Sequence, residues 1–256
     1  MTGRTALITG GGRGVGAAVA ARFAMAGARI LVVARTAEQV DAVAASLRAK
    51  GHEAHAEACD VSSPEGVARL AERAAALLGR VDVLVNNAGV ALAAAVHRTT
   101  VEDWNRLLAV NATSAFLTMR TFLPGMIDRG WGRVVNVASV AGLRGDRYIA
   151  AYAASKHALV GLTRSAAAEA APHGVTVNAV CPGYLATEMT EASVARIMTA
   201  TGRTEQQALD ALLQTTPQRR LIEPAEVAEA VAYLCTAAAR GVNGASLVID
   251  GGELRT

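Results

Sequence analysis

Short, β-branched apolar runs alternate along this chain with longer Ala-rich stretches whose apolar positions recur at helical spacing. Strands are predicted at 6–9 (ALIT), 29–34 (RILVVA), 53–61 (EAHAEACDV), 81–87 (VDVLVNN), 133–139 (RVVNVAS), 175–182 (VTVNAVCP) and 245–250 (ASLVID). Several lack the alternation of a half-exposed strand, as expected where both faces of a parallel sheet are covered. Helices are predicted over 14–27, 36–51 and 63–79, with Thr36 and Ser63 near the starts of the last two and Gly27, Gly51 and Gly79 closing all three. Those residue types start and stop helices. Further helical segments fall at 103–127, 151–171 and 224–235. The repeated β-α-β order predicts the α/β class: a single-domain, Rossmann-like doubly wound parallel sheet over 1–256, with helices on both faces.

The rhythm breaks once, between about 188 and 223, where TEQQALDALLQ (204–214) reads as inserted helical matter. An insertion there is a natural substrate lid, with a surface excursion of no function as the plainer alternative. Met189, Ile197, Met198, Leu209, Leu212 and Leu213 give it an apolar surface, better suited to an acyl chain or a ring than to a sugar.

Composition narrows the classes. The 256 residues are 52% hydrophobic and 18% charged, which supplies a sizeable core and argues against disorder. A net charge of +3, with no basic run of five, gives no expectation of a nucleic-acid partner and suits anionic small molecules better. Cys59, Cys181 and Cys235 are widely spaced and form neither a metal-ligand pattern nor a disulfide framework. Buried thiols in a reducing compartment are expected, with no metal site. No eighteen-residue apolar run exists and the N-terminus lacks a secretory pattern, so no membrane association and a cytoplasmic location are expected.

Candidate chemistry begins at TGGGRGVG (9–16), after the first strand and at the opening of the first helix. Gly10 suits the tight turn, Gly14 lets a phosphate reach backbone N–H groups, and Gly16 permits close helix–strand packing. A bare helix N-terminus favours a pyrophosphate, although a plain βα turn can also be glycine-rich. Farther on, Tyr152 and Lys156 stand one helical turn apart, on one face, among small residues.

The Gly-x-x-x-Gly-x-Gly spacing, NNAG (86–89), Asn111, Ser139, the Tyr152/Lys156 pair and PGYLAT (182–187) together resemble the classical short-chain dehydrogenase/reductase family, from Thr5 to the closing DGG (250–252). The order and spacing carry the resemblance: Ser139 lies thirteen residues before Tyr152. It implies hydride transfer between a nicotinamide and a carbonyl or secondary alcohol. On that model Tyr152 is the proton donor in reduction and acceptor in oxidation. Lys156 lowers its pKa from about 10 and holds the nicotinamide ribose. Ser139 binds the substrate oxygen, and Asn111 holds a water that relays protons through Lys156. The cofactor would be lined by Gly10, Arg13, Gly14, Val15, Gly16, Asp60, Val61, Asn87, Ala88, Gly89, Pro182, Gly183 and Thr187. Asp60 would cap the adenine amino group, and Thr187 would bond the carboxamide. His157, next to Lys156, reads as structural.

At the end of the second strand, Ala34-Arg35 stands where relatives selective for NAD carry an acid, and Arg13 lies just before Gly14. Two guanidiniums converging on a 2′-phosphate predict NADP(H) over NAD(H), although Gly12 replaces a frequent phosphate ligand. Motifs shared with 3-oxoacyl thioester reductases, 3-hydroxyacyl dehydrogenases and polyketide ketoreductases leave several substrates open. The first expectation is reduction of a 3-oxoacyl thioester on acyl carrier protein or CoA. The others are a cyclic or aryl ketone, or a non-catalytic NADP-binding regulator. Arg144 and Arg147 could meet an anionic carrier or be solvated. The resemblance also implies a homotetramer, paired through 103–127 and 151–171.

Overall fold

A computed structural model describes residues 1–254, so the last two residues of the domain expected over 1–256 lie outside the described residues. All seven expected strands form: β1 (Thr5–Thr9), β2 (Arg29–Ala34), β3 (Ala54–Ala58), β4 (Val83–Asn86), β5 (Gly132–Val137), β6 (Val175–Pro182) and β7 (Ser246–Ile249). They make one sheet in the order β3-β2-β1-β4-β5-β6-β7, and every neighbouring pair is parallel.

The helices among the described residues are α1 (Gly14–Met25), α2 (Ala37–Ala49), α3 (Pro64–Leu78), α4 (Val101–Leu108), α5 (Ser114–Asp128), α6 (Ala150–Ala170), α7 (Glu188–Thr201), α8 (Glu205–Leu212) and α9 (Pro224–Leu234). Ser63 caps α3 by accepting from the Gly66 N–H at 3.1 Å, whereas Thr36 at the start of α2 makes no side-chain cap.

The non-alternating strands have the predicted cause. Within β1, Ala6 and Ile8 join a core with Phe23, Val40 and Val231 from α1, α2 and α9. Leu7 points to a second core with Leu70, Leu117 and Ala166 from α3, α5 and α6. Each such leucine, fully removed from water, contributes on the order of 1.5–3 kcal/mol.

Two expectations are corrected. The run 53–61 ends as a strand at Ala58, because the Asp60 carboxylate accepts from Ser62 N–H (3.0 Å) and Oγ–H (2.7 Å) and turns the chain. The helix expected over 103–127 is broken by a π-helical turn, Ala109–Thr113, which contains Asn111. Such single wide turns insert one residue into a helix and recur at functional sites.

The interruption at 188–223 is helical, as expected, comprising α7 and α8. It leaves and rejoins the body at one neck: Leu185 pairs with Ile222, Ala186 N–H donates to Ile222 O, and Ile222 N–H donates to Tyr184 O, both at 2.9 Å.

Candidate active site

The strand order reverses between β1 and β4, since the chain next adds strands outward on opposite sides of that pair. In an open parallel sheet this opens a crevice beyond the strand C-termini. The TGGGRGVG loop follows β1 and Asn87–Gly89 follows β4, so both flank the crevice.

Hydrogen bonds lock these two loops together. Thr9 Oγ1 accepts from the N–H groups of Asn87 (3.0 Å) and Ala88 (3.1 Å), and Asn87 Nδ2 donates back to the carbonyls of Thr9 and Gly10. Gly10 has φ 62°, and a Cβ there would sit 2.8 Å from Asn87 Nδ2; a Cβ at Gly16 would sit 2.2 Å from Gly10 O. Both positions require glycine for the turn and the close packing expected of them. Helix α1 starts with no side-chain cap and no acid in its first turn. Its N–H groups and positive dipole end are thus left to an anion, and the cradle fits a dinucleotide pyrophosphate. Gly14, at φ 52°, faces Thr187 Cγ2 at the start of α7.

The catalytic candidates converge from three elements. Ser139 follows β5 and caps a short 3-10 turn (Val140–Gly142), accepting from Ala141 N–H at 3.1 Å. Its hydroxyl donates to Pro182 O at 3.5 Å and lies beside the Tyr152 phenol, in the first turn of α6, whose pKa it pulls down. Lys156 lies one turn farther on, buried, with Nζ 5.9 Å from the Tyr152 ring centroid and donating to Val137 O at 2.9 Å. Gly142 lets the turn press on α6: a Cβ there would be 2.8 Å from Lys156 O.

Asn111 reaches the same centre from the π turn. Its Oδ1 accepts from Val90 N–H (2.8 Å), and its Nδ2 donates to Val90 O (2.9 Å) and Ser155 Oγ (2.9 Å). Ser155 Oγ–H in turn donates to Tyr152 O. Both amide protons are engaged, so the side chain clamps the segment after NNAG to α6. A Cβ at Gly89 would lie 3.4 Å from Asn111 Oδ1 and 3.5 Å from Lys156 Nζ, so this glycine brings the β4 loop against both.

The electrostatics differ from the sequence expectation. Burial pushes the Tyr152 phenol above its ordinary value, and the opposing pull comes from the Ser139 hydroxyl rather than from Lys156. Burial also lowers the Lys156 ammonium to about 8. The reason is shared: both groups lie where the charged form has lost its water.

Other sequence candidates are placed as follows. Arg13 makes an exposed ion pair with Glu188 at the start of α7, so its guanidinium already has a carboxylate partner. Arg35 is exposed and has no ion pair among the described residues; its charge acts on Asp60, whose carboxyl is lowered chiefly by the Ser62 hydrogen bonds. Val15, Val61 and Pro182 are buried, while Gly183 and Thr187 are half-buried. His157 is exposed, its Nδ1 2.9 Å from Ala153 O, in keeping with a structural role. Cys181 and Cys235 are buried, but Cys59 is only half-buried.

Arg144 has an internal partner. It is paired with the buried Glu253 carboxylate, which also accepts from Thr215 Oγ1 at 3.4 Å. That pair ties the 142–148 loop to the end of the chain. No local signal marks Glu253, because its partner lies 109 residues away. Nor did Ser155 or Glu188 stand out, since each acquires its meaning from a contact across the fold. Arg147 lies against the Tyr148 ring, 5.5 Å from its centroid, and Tyr148 is a non-glycine residue held at φ 66°.

A doubly wound sheet with a glycine cradle at its reversal point, and Ser, Tyr and Lys side chains beside it, defines a dinucleotide-binding oxidoreductase. The family described as short chain dehydrogenase matches residues 4–197, and the chain belongs to this family. It is 36% identical over 253 residues to a D-beta-hydroxybutyrate dehydrogenase of Rhizobium meliloti, covering 97% of this chain and 98% of that protein. It is also 36% identical over 254 residues to a 3-oxoacyl-[acyl-carrier-protein] reductase of Synechocystis sp., covering 98% and 97%. Among solved structures, a variant of actinorhodin polyketide ketoreductase with NADPH superposes with a TM-score of 0.95 at 36% identity, covering 99% of each chain. No described helix is long and apolar enough to cross a membrane.

Proposed function

We propose that the protein is an NADP(H)-dependent reductase of a 3-oxoacyl thioester carried on acyl carrier protein or CoA. The observation that carries this reading is the convergence of Ser139, Tyr152 and the buried Lys156, with Lys156 Nζ held at Val137 O, 2.9 Å away, and 5.9 Å from the Tyr152 ring centroid. Bound at the glycine cradle, the reduced nicotinamide supplies the hydride that converts a ketone to a secondary alcohol. This chain's residues do the rest. Ser139 Oγ–H binds the substrate carbonyl oxygen and stabilises its developing charge. Tyr152 donates the proton to that oxygen, and a phenol raised by burial stands in the protonated form that reduction consumes. Lys156 holds the nicotinamide ribose and returns a proton to Tyr152; Asn111 keeps the β4 loop and α6 in register for that exchange.

Gly10, Gly14, Val15 and Gly16 hold the pyrophosphate; Asp60, Val61, Asn87, Ala88 and Gly89 line the adenosine side; Pro182, Gly183 and Thr187 line the nicotinamide side. Arg35, without a carboxylate partner among the described residues, takes the 2′-phosphate, and Arg13 joins it by exchanging Glu188 for that anion. α7 and α8 act as the lid over an apolar acyl chain. Val101, Trp104 and Phe116 are exposed on α4 and α5, which supports self-association through that face into a homotetramer. Light scattering of the purified protein measures the subunit number.

Similarity to a polyketide ketoreductase supports a second reading, in which the ketone is cyclic or aromatic. NADPH consumption with acetoacetyl-CoA, acetoacetyl-acyl carrier protein, cyclic ketones and aryl ketones separates the two. The thioesters should show the highest kcat/KM; turnover of ring ketones with none of any β-keto thioester overturns the first reading. A Tyr152→Phe protein should lose about 100- to 10,000-fold in rate while still binding NADPH. Unchanged signalling or binding behaviour with no turnover even in the parent would mark a regulator instead.

A further inference from the structure

Where β1, β5 and β6 begin, a cavity of about 980 Å³ lies between the first residues of the chain and the segment after α9. Parallel strands collect their starts on one edge of the sheet and the catalytic loops on the other. At about 3.3 Å per residue, β5 and its extension place Arg133 about 20 Å from Ser139. The cavity is therefore separate from the active site.

Its walls are unbalanced in charge. Arg4, Arg133 and Arg240 line it, and no aspartate or glutamate does. Asp82, which does not line the cavity, lies 4.0 Å from Arg4 and is shared with Arg80 at 3.0 Å. Arg133 is 5% exposed and has no ion pair among the described residues. Its Nη1 donates to Gly132 O (2.7 Å) and Gly174 O (3.2 Å), while Nε has no partner. Beside it the Thr176 hydroxyl, 6% exposed, is also without a partner. Cys235 offers no counter-charge, because burial pushes its thiol up to about 12.

A buried guanidinium with an unengaged donor and no carboxylate is costly unless something else supplies the anion. Guanidinium forks match carboxylate and phosphate oxygens. An apolar wall stands next to these donors: Trp131 lies under Arg4 and Arg133, at 3.6 and 4.7 Å from its centroid, with Val175 and Ala237 nearby. We propose that this cavity is a second binding site, for an organic anion whose carboxylate or phosphate is held by Arg133, Arg4, Arg240 and Thr176 and whose apolar body lies against Trp131.

The chain has two tryptophans, so a Trp104→Phe protein makes Trp131 its sole indole reporter. Titrating it with n-octanoate, phenyl phosphate and inorganic phosphate should give saturable emission changes for the organic probes, weaker binding of inorganic phosphate, and loss of affinity with added salt. Adding Arg240→Glu or Arg133→Met should weaken binding at least about tenfold, the loss of one charge-assisted contact. The exposed Arg240 keeps the test decisive if the Arg133 variant does not fold, which circular dichroism shows. No saturable change, an undiminished response in a folded arginine variant, or inorganic phosphate binding as tightly as the organic probes each overturns the proposal.

Discussion

Lys156 Nζ donates to the Val137 carbonyl oxygen at 2.9 Å, which fixes the ammonium to the end of β5, two residues before Ser139. The same burial that positions it also penalises its charge and lowers it to about 8.

Stability of the cofactor-free protein should therefore respond to pH through Lys156. Its folded pKa lies below the ordinary 10.5, so the unfolded chain binds the extra proton between about 8 and 10.5, and this group's contribution to stability rises with pH across that window. Relative to Lys156→Met, the parent should gain about 3 kcal/mol of stability as pH rises from about 8 to about 10.5. Urea unfolding of both proteins at several pH values checks this; a pH-independent difference contradicts the buried charge.

Asn111 joins Val90 to Ser155, and its two bonds to Val90 span 21 residues. Asn111→Leu should cost about 1–3 kcal/mol by orphaning the half-buried N–H and C=O of Val90, and Ser155→Ala only about 1 kcal/mol. Denaturant midpoints give the ordering. Turnover should fall more for Asn111→Leu than for Ser155→Ala, since the former releases Val90 and Ser155 together and the latter removes only the bond to α6.

A buried polar chain crosses the sheet beneath the site. Thr118 Oγ1–H donates to Asn86 Oδ1 (2.7 Å), Asn86 Nδ2 to Asn136 Oδ1 (2.9 Å), and Asn136 Nδ2 to Thr163 Oγ1 (2.8 Å). Asn86→Leu and Asn136→Leu should each cost about 1–3 kcal/mol, and the double variant less than their sum, because no half of the pair is then left unpaired. Additive losses in a double-mutant cycle would show that the two asparagines act independently.

Arg35→Asp should move the preference from NADPH toward NADH, read as the ratio of kcat/KM for the two cofactors. Glu188→Gln, which releases Arg13, should move it toward NADPH. Unchanged ratios in both variants would remove these residues from cofactor choice.

Most of the architecture was legible along the chain. Parallel strands buried on both faces lack alternation, glycines mark helix ends, and Ser139, Tyr152 and Lys156 stand at short, fixed separations. Local geometry sets each of these: strand pleat, helical turn and the conformational freedom of glycine depend on a few adjacent residues. The π turn at Asn111 was not legible, since AVNAT carries no breaker and the extra residue is held by Val90 and Ser155 from elsewhere.

Charge states and partnerships came from folding. Arg13 meets Glu188 across 175 residues and Arg144 meets Glu253 across 109, so one expected cofactor ligand and one arginine open to a carrier or to solvent acquired intramolecular partners. Spacing placed Lys156 on the face of Tyr152, but it said nothing of the water that either side chain would lose. Desolvation depends on everything packed around a group, whatever its distance in sequence, and for that reason the acidity of this site belongs to the assembled molecule.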